Sequence, residues 1–248
     1  MPRLSVILIT KNEAANIRAC LESVAWADEI IVVDSGSTDG TQEIARQFTP
    51  HVHLHADWPG FGPQKNLALS YATGDWVLSL DADERVTSAL HAEIEAALAS
   101  PQADGYRIPR LSSFCGRFMH HSGWRPDHVL RLFRRQHGRF SEALVHESVQ
   151  VNGAVANLRE DLLHYSYRDF GDVITKLNHY SSAAAAQMDA SGRRGGLSQA
   201  ILHGAWAFFR TYVLRAGFLD GREGFMLAVM NAENSYYRYI KLWFRQRR

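Results

Sequence analysis

Short runs of β-branched and apolar residues alternate with amphipathic stretches between residues 4 and 80. This alternation is typical of βαβ units, which pair their strands in a parallel sheet. We predict four strands, at Leu4–Ile9, Glu29–Val33, His51–His55 and Trp76–Leu80. The helices between them are predicted to begin near Glu13, Asp39 and Pro63. Parallel sheets bind ligands at the carboxyl ends of their strands, so the polar residues after each strand are expected to share one crevice.

The pattern changes in the second part of the chain. A helix is predicted over Ser88–Ala99, and residues 105–165 then show short alternating strands with turn signals between them. This predicts a mixed extension of the first sheet. From Asp172 onward, apolar residues recur at helical spacing. The chain is therefore expected to hold an α/β domain over residues 1–168 and a helical C-terminal region over residues 169–248.

Composition excludes several classes of protein. The chain has 248 residues and two cysteines, too few for a disulfide scaffold, so a cytoplasmic protein is expected. Its net charge of +1 argues against a nucleic-acid binder. The N-terminal apolar run is too short for an export signal. The stretch Leu197–Leu219 contains His203, Arg210 and Arg215, so no spanning helix is expected.

Two carboxylates, Asp81 and Asp83, directly follow the apolar strand that ends at Leu80. Both are expected to emerge at the ligand-binding edge of the sheet. Hard divalent cations such as Mg²⁺ take oxygen ligands and keep positions open for phosphate oxygens. The pair therefore predicts a cation that bridges a diphosphate. The structural alternative is that Asp83 caps a helix beginning near Val86.

Asp34 ends an equally apolar strand and is followed by the polar turn Ser35–Gly40. One interpretation is structural, with Ser37 or Asp39 capping the next helix. The first strand-to-helix turn, Thr10–Glu13, has no glycine, so a dinucleotide-binding fingerprint is absent. Asp34 is therefore predicted to hydrogen-bond a base or ribose without a glycine-rich pyrophosphate loop.

These motifs together resemble the family-2 inverting glycosyltransferases of the GT-A fold. The residues that carry the resemblance are Ser5–Glu13, Val33–Thr41, Lys65-Asn66 and Leu80–Glu84. It implies a GT-A fold, which is a mixed, mostly parallel sheet flanked by helices, here with the helical C-terminal appendage. It also implies a nucleotide-sugar half over residues 1–100 and an acceptor and base half over residues 101–168.

The same resemblance implies roles for individual residues. Nucleoside contacts are expected from Thr10, Glu13, Asp34 and Lys65. The motif Asp81-Ala82-Asp83 is expected to hold the diphosphate through Mg²⁺ or Mn²⁺. Asp83 becomes the main carboxylate on the metal, and Asp81 contacts ribose or metal. The alternative for Lys65 is an ordinary exposed helix residue.

Inverting transfer needs a general base that deprotonates the acceptor hydroxyl. In the GT-A pattern the base belongs to a later acidic motif, for which Val145-His146-Glu147 is the nearest match. Glu147 is therefore the candidate base, with Asp127 as its rival and a solvated strand carboxylate as the structural alternative. His164 matches a further metal ligand of the family, although a lone histidine is more often structural.

A narrower resemblance extends through most of the chain. The segments Gly123–Asp127, Leu130–Arg135, Val145–Glu147, His164–Tyr167 and Phe218–Gly221 resemble the bacterial lipopolysaccharide-core branch, which adds glucose to an inner-core heptose. This implies UDP-glucose or a close UDP-hexose as donor and a core heptose as acceptor. Arg131, Arg134 and Arg135 could bind the phosphates of a phosphorylated acceptor through their guanidinium groups. The alternative is that they lie on an edge strand, where basic residues deter aggregation.

The C-terminal helices are basic and aromatic. From Ala205 to Arg248 the sequence holds eight basic and three acidic residues, a local charge of +5. Such a segment can settle on anionic lipid, here the cytoplasmic face of the inner membrane. The alternatives are a solvated basic face or a dimer interface, so a homo-oligomer stays open.

Two other functions remain open from the sequence. One is a nucleotidyltransferase that makes a sugar nucleotide, although its glycine-rich phosphate loop is missing. The other is an inactive scaffold that binds a glycan or nucleotide sugar at the membrane.

Overall fold

The computed structural model describes residues 2–141 and 148–247. The chain divides into two compact units. Unit 1 comprises Met1–Arg110 and Asp127–His164, and unit 2 comprises Leu111–Pro126 and Tyr165–Arg248. The helical C-terminal region thus shares its unit with residues 111–126.

Unit 1 begins with the predicted parallel sheet. Its first strands are β1 (Leu4–Thr10), β2 (Glu29–Asp34), β3 (Val52–Leu54) and β4 (Trp76–Leu80). They pair in parallel in the order β3-β2-β1-β4. The connecting helices are α1 (Ala14–Ser23), α2 (Thr41–Ala45) and α3 (Phe61–Tyr71). All four strand predictions are confirmed, and so is the expected edge at which the strands end together.

The second half of the sheet is largely antiparallel. The elements that follow are β5 (Glu84–Val86), α4 (Ser88–Ala99), β6 (Gly105–Phe114), β7 (Arg117–Phe118), β8 (His128–Arg134), β9 (Gly138–Phe140), β10 (Val149–Val151), β11 (Val155–Asn157) and β12 (Leu162–Tyr167). Strand β8 lies between β4 and β6 and is antiparallel to both. Strand β12 pairs with β5, which extends the sheet as the sequence predicts.

Helices cover the parallel strands of unit 1, and this explains their unbroken apolar runs. On one face, Val6, Leu8 and Leu78 pack with Ile17 of α1 and Ile94 of α4. On the other face, Ile7, Val33 and Val77 pack with Ala68 of α3 and with Phe133. Burial on both faces therefore explains why β1, β2 and β4 are mostly apolar, although Ser5 and Ser79 are buried polar residues within them.

Unit 2 is built on helices α5 (Phe170–Ala190), α6 (Leu197–Phe209) and α7 (Gly221–Arg245). A π-helical turn, Arg210–Leu214, and a 3-10 turn, Gly217–Asp220, join α6 to α7. Helix α7 packs against both α5 and α6. Gly224 lies in the first turn of α7. A Cβ atom there would lie 1.9 Å from the carbonyl oxygen of Gly217, so position 224 requires glycine. Within the described part of the chain, every helix is too short or too polar to cross a membrane.

Candidate active site

Asp34 organises the loops at the ends of β1 and β2. Its carboxylate is fully buried and accepts hydrogen bonds from Thr10 Oγ1 (3.0 Å) and from the backbone N–H groups of Gly36 (3.1 Å) and Ser37 (2.8 Å). Gln42 Nε2 (2.8 Å) and the Ser37 hydroxyl donate to it as well. A buried carboxylate needs such partners to offset its desolvation. The structure therefore brings together Thr10 and Asp34, and their predicted nucleoside contact stays a prediction.

The two loops are also tied through Asp39 and Thr41. Asp39 accepts a hydrogen bond from the Ala14 N–H at the start of α1 (3.0 Å) and another from the Thr41 N–H at the start of α2 (3.1 Å). Thr41 Oγ1 accepts from the Glu13 N–H (2.8 Å). The N-cap of α2 is Gly40, and no side chain caps this helix, so the capping interpretation of Ser37 and Asp39 is wrong. The Glu13 side chain accepts from Asn16 Nδ2 (2.8 Å), and its predicted nucleoside contact stays a prediction.

Asp81, at the end of β4, is held between two cations. Lys65 Nζ lies 3.0 Å from Asp81 Oδ1, and the Arg131 guanidinium donates to Asp81 Oδ2. Burial opposes ionisation of Asp81, but the charges of Arg131 and then Lys65 outweigh it and hold its pKa well below the usual range. The side chain of Lys65 is buried, so the exposed-helix interpretation of Lys65 is wrong. Ala82, the next residue, is buried as well.

Glu84 lies behind Asp81 and is completely buried. Its Oε1 atom accepts a hydrogen bond from Arg131 Nη2 at 2.6 Å, and its Oε2 atom accepts one from the Asp81 N–H at 3.0 Å. Burial raises the pKa of Glu84. The sequence placed Glu84 at the same edge but assigned it no role. The only signal was that it continues the acidic run after β4.

Arg131 is therefore not available to bind a phosphate of the acceptor, and the expectation that it does so is wrong. It is 7% exposed, and its guanidinium is directed at Asp81 and Glu84. The edge-strand alternative is also wrong, because β8 pairs on both sides. Arg134 pairs with Asp104 (3.1 Å) and stands opposite Trp76, at the end of β4 remote from Asp81.

Asp83 faces His164. Their Oδ2 and Nε2 atoms are 3.3 Å apart, because the antiparallel pairing of β12 with β5 sets His164 opposite Glu84, the neighbour of Asp83. The helix-capping interpretation of Asp83 is wrong. Helix α4 is capped by Thr87, whose Oγ1 atom accepts a hydrogen bond from the Leu90 N–H (3.1 Å).

The Asp83 and His164 pair fits a divalent cation. Adjacent ligands of an octahedral ion with bonds near 2.1 Å are about 3 Å apart, which is close to the observed separation. Carboxylate and imidazole are both suitable donors for such an ion. Among the residues that the structure describes, no group of three or more His, Cys, Asp or Glu side chains could hold a metal. A cation here would thus need further ligands from substrate and water, as Mg²⁺ commonly does.

Asp127 is held by Arg110. Its Oδ2 atom receives Arg110 Nε at 2.9 Å and Nη2 at 2.8 Å, and its carbonyl oxygen accepts the Arg110 N–H at 2.7 Å. Arg110 Nη1 also lies 3.7 Å from Glu84 Oε1. The competing base candidate, Glu147, lies outside the described residues.

One chain of alternating charges thus runs through unit 1. Its members in order are Lys65, Asp81, Arg131, Glu84, Arg110 and Asp127. It connects the predicted donor residues to one of the two predicted bases. Each carboxylate in it has a cationic partner, which the buried Glu84 requires because its charge is removed from water.

The sequence also matches a known family. The model of the family described as Glycosyl transferase family 2 matches residues 5–159. The chain belongs to this family and is a glycosyltransferase, which sets aside the nucleotidyltransferase and scaffold alternatives.

Its similarity to individual proteins is close to full length. It is 33% identical to the lipopolysaccharide core biosynthesis glycosyltransferase LpsC of Rhizobium meliloti (strain 1021), over 95% of this chain and 93% of LpsC. It is also 33% identical to an uncharacterized glycosyltransferase of Rickettsia felis, over 98% of this chain and 90% of the relative. Among solved structures, S. aureus TarS 1–349 superposes with a TM-score of 0.52 at 18% identity, over 99% of this chain and 92% of TarS. The fold is therefore GT-A.

Proposed function

We propose that this glycosyltransferase moves a hexose, with inversion, from a UDP-sugar to a heptose of the lipopolysaccharide inner core. The observation that carries the proposal is the Asp83 and His164 pair beside the clamped Asp81, at the carboxyl edge of β4. UDP-glucose is the expected donor. TarS, which shares the fold, has been solved with UDP and with UDP-GlcNAc. LpsC, a relative of this chain, is a lipopolysaccharide core biosynthesis glycosyltransferase, which supports a core acceptor.

Asp83 and His164 would hold Mg²⁺ or Mn²⁺. When bound, the ion supplies positive charge for the departing diphosphate. Lys65 and Arg131 keep Asp81 ionised and restrict its orientation, so this carboxylate is fixed before the donor arrives. Such preorganisation removes a reorganisation cost from the reaction. Thr10, Glu13 and Asp34 form the nucleoside end of the same edge in this proposal.

Glu147 is proposed as the general base that removes the proton of the acceptor hydroxyl. Asp127, whose Oδ2 atom is fixed by Arg110, is proposed to orient the acceptor. In this proposal the acceptor and the base belong to residues 101–168, and the donor belongs to residues 1–100 together with His164.

A donor and acceptor panel tests this function. The purified protein is incubated with UDP-, GDP- and dTDP-hexoses, with Mn²⁺ or Mg²⁺, and with a core oligosaccharide that either contains or lacks the inner heptose. We expect UDP release that depends on the cation and increases with the heptose-containing acceptor. Product analysis should show a β-linked hexose from an α-linked donor. Turnover only with GDP- or dTDP-sugars, or only with an acceptor that lacks heptose, would contradict the proposal.

A further inference from the structure

Helix α6 and the turns that follow it turn their large apolar side chains toward solvent. We define the α6 face as Leu202, Trp206, Phe209, Leu214, Phe218 and Leu219, which are between 45% and 70% exposed. Isolated exposed apolar residues are normal on proteins, but six large ones on one helix and the turns that follow it point to an interaction surface.

The buried side of α6 is made of small residues. Ala200, Gly204, Ala207 and Thr211 recur at helical spacing and are all buried. A Cβ atom at Gly204 would lie 3.2 Å from the carbonyl oxygen of Ala232, so α6 approaches α7 closely. An ordinary surface helix buries its large apolar residues and exposes its polar ones. Phe208 packs against Phe225 of α7, but the exposed large side chains of the α6 face are not explained by packing within unit 2.

The surroundings of the α6 face are basic. Between Gly192 and Arg222 the sequence has one acidic residue, Asp220. Asp220 is buried and accepts hydrogen bonds from the His121 N–H (3.1 Å) and the Ser122 hydroxyl (2.8 Å). The same stretch has five exposed arginines, at positions 193, 194, 210, 215 and 222. A surface that is both apolar and basic suits an apolar layer bordered by negative charge.

We propose that the α6 face docks on a lipid bilayer that contains anionic lipid. The apolar side chains enter the boundary between headgroups and acyl chains, and the arginines meet lipid phosphates. The 13 residues of α6 measure about 20 Å, less than the roughly 30 Å of a bilayer core, so the helix lies along the surface.

A second copy of the chain is a poorer occupant. A two-fold interface would set the α6 face against itself, with the arginines of one copy opposite those of the other. Like charges facing each other across an interface are costly. Lipid phosphates supply the opposite charge that a second copy lacks.

The C-terminal end of α7, which is also basic, is a poorer docking surface than the α6 face. Lys241 Nζ is within 2.9 Å of hydrogen-bond acceptors on Asn178, Ser181 and Ser182 of α5. Arg245 of α7 lies 3.5 Å from Asp189, which also belongs to α5. These basic residues already have partners inside unit 2, whereas no ion pair of the arginines around α6 is found among the residues that the structure describes.

Vesicle sedimentation of the full-length protein tests the surface without reference to activity. The probes are phosphatidylcholine vesicles with or without phosphatidylglycerol, at low and high salt. We expect binding to the anionic vesicles that decreases as salt screens it. The double variant Trp206→Ser/Phe209→Ser should bind at least about tenfold more weakly, because two side chains no longer leave water. Arg210→Gln and Arg222→Gln should each cost about fivefold at low salt.

The matched control is Ile174→Ser/Tyr180→Ser, which removes two similarly exposed apolar side chains from α5. It should bind vesicles like the wild type, and circular dichroism should show that both double variants are folded. Equal loss in both variants, or none in either, would overturn the proposal. Light scattering checks the alternative occupant. The proposal would also be overturned if the wild type were a dimer, and if Trp206→Ser/Phe209→Ser dissociated that dimer without changing vesicle binding. The α6 face would then bind a second copy of the chain.

Discussion

The Nε2 atom of His164 lies 3.3 Å from the Oδ2 atom of Asp83, although the two residues are far apart in the sequence. They meet because β12 pairs with β5, the short strand that directly follows Asp83. In the proposed function these two side chains would share one cation, and the antiparallel part of the sheet would then supply a ligand to a site at the end of the parallel part.

Replacing Asp83 with alanine should lower turnover by about 10²–10³-fold, because the charge that stabilises the departing diphosphate would be lost. Mn²⁺ binding in the presence of UDP, measured by electron paramagnetic resonance, should weaken in parallel, and so should binding by His164→Ala. Thermal unfolding serves as the control for folding. Undiminished turnover in Asp83→Ala, or in the wild type with excess chelator, would remove the metal role.

Arg131→Met should destabilise the protein by about 3–5 kcal/mol, because it leaves Asp81 and the buried Glu84 without their shared cation. Arg134→Met is the matched control on the same strand. Arg134 is 39% exposed on its side chain and pairs with Asp104, so its loss should cost about 1 kcal/mol or less. Urea unfolding measures both values. Equal costs would mean that the buried charge chain does not support the fold.

The pH dependence of stability should reveal the lowered pKa of Asp81 in the folded protein. Its pKa in the folded protein lies below the ordinary value of 3.8, so its ionised form contributes stability above that pH. The contribution is lost as the pH falls from about 5 toward the folded pKa, because the unfolded chain then binds the proton more readily. The wild type should therefore exceed Asp81→Asn in urea midpoint by a constant amount near neutral pH and by less in acid. A difference that did not vary with pH would contradict this prediction.

Glu147→Gln should keep the affinity for a UDP-sugar, measured by calorimetry, because a general base touches the acceptor and not the nucleotide. Its turnover with a heptose-containing acceptor should fall by about 10²–10⁴-fold. Asp127→Asn should have a milder effect if Asp127 orients the acceptor through its pairing with Arg110. The reverse ranking would transfer the role of base to Asp127.

Asp220→Ala should destabilise unit 2 by about 3 kcal/mol. The substitution would leave the His120 and His121 N–H groups and the Ser122 hydroxyl without their acceptor. Unsatisfied buried donors cost about 1–3 kcal/mol each. Asp189→Ala is the control, because Asp189 makes a partly exposed pair with Arg245 and should cost less than about 1 kcal/mol. Hydrogen exchange of the 120–122 amides would locate the effect.

The parallel half of unit 1 was predictable because its strands are short, apolar and bounded by polar turns. The four strands were located to within one residue at each end. Strand ends that point to one edge also made the proximity of Thr10 to Asp34 an expectation that the structure confirms. The pairing of Lys65 with Asp81 was not predicted, because Lys65 lies inside α3 and not at the end of a strand. These relationships need only strand direction and the right-handed crossovers of βαβ units.

Arg131 shows where this reasoning stops. Its spacing on β8 is the same whether the strand lies at an edge or inside the sheet, so the sequence allowed an exposed, phosphate-binding arginine. Only pairing on both sides of β8 buries the guanidinium and directs it to Asp81 and Glu84. Long-range antiparallel pairing has no local signature, and so the partner of a buried charge cannot be read from its neighbours in the chain.

Helix α6 also separates what the sequence predicts from what only the packing of the helices shows. The sequence predicted helices with recurring apolar residues from Asp172 onward, because that periodicity is local, and the structure gives α6 its bounds at Leu197–Phe209. Packing in three dimensions buries Ala200, Gly204 and Ala207, with Gly204 close to α7, and leaves Leu202, Trp206 and Phe209 exposed to solvent. The physical reason is that hydrophobicity measures the gain from leaving water, whereas the side that packs is chosen by how closely two backbones can approach.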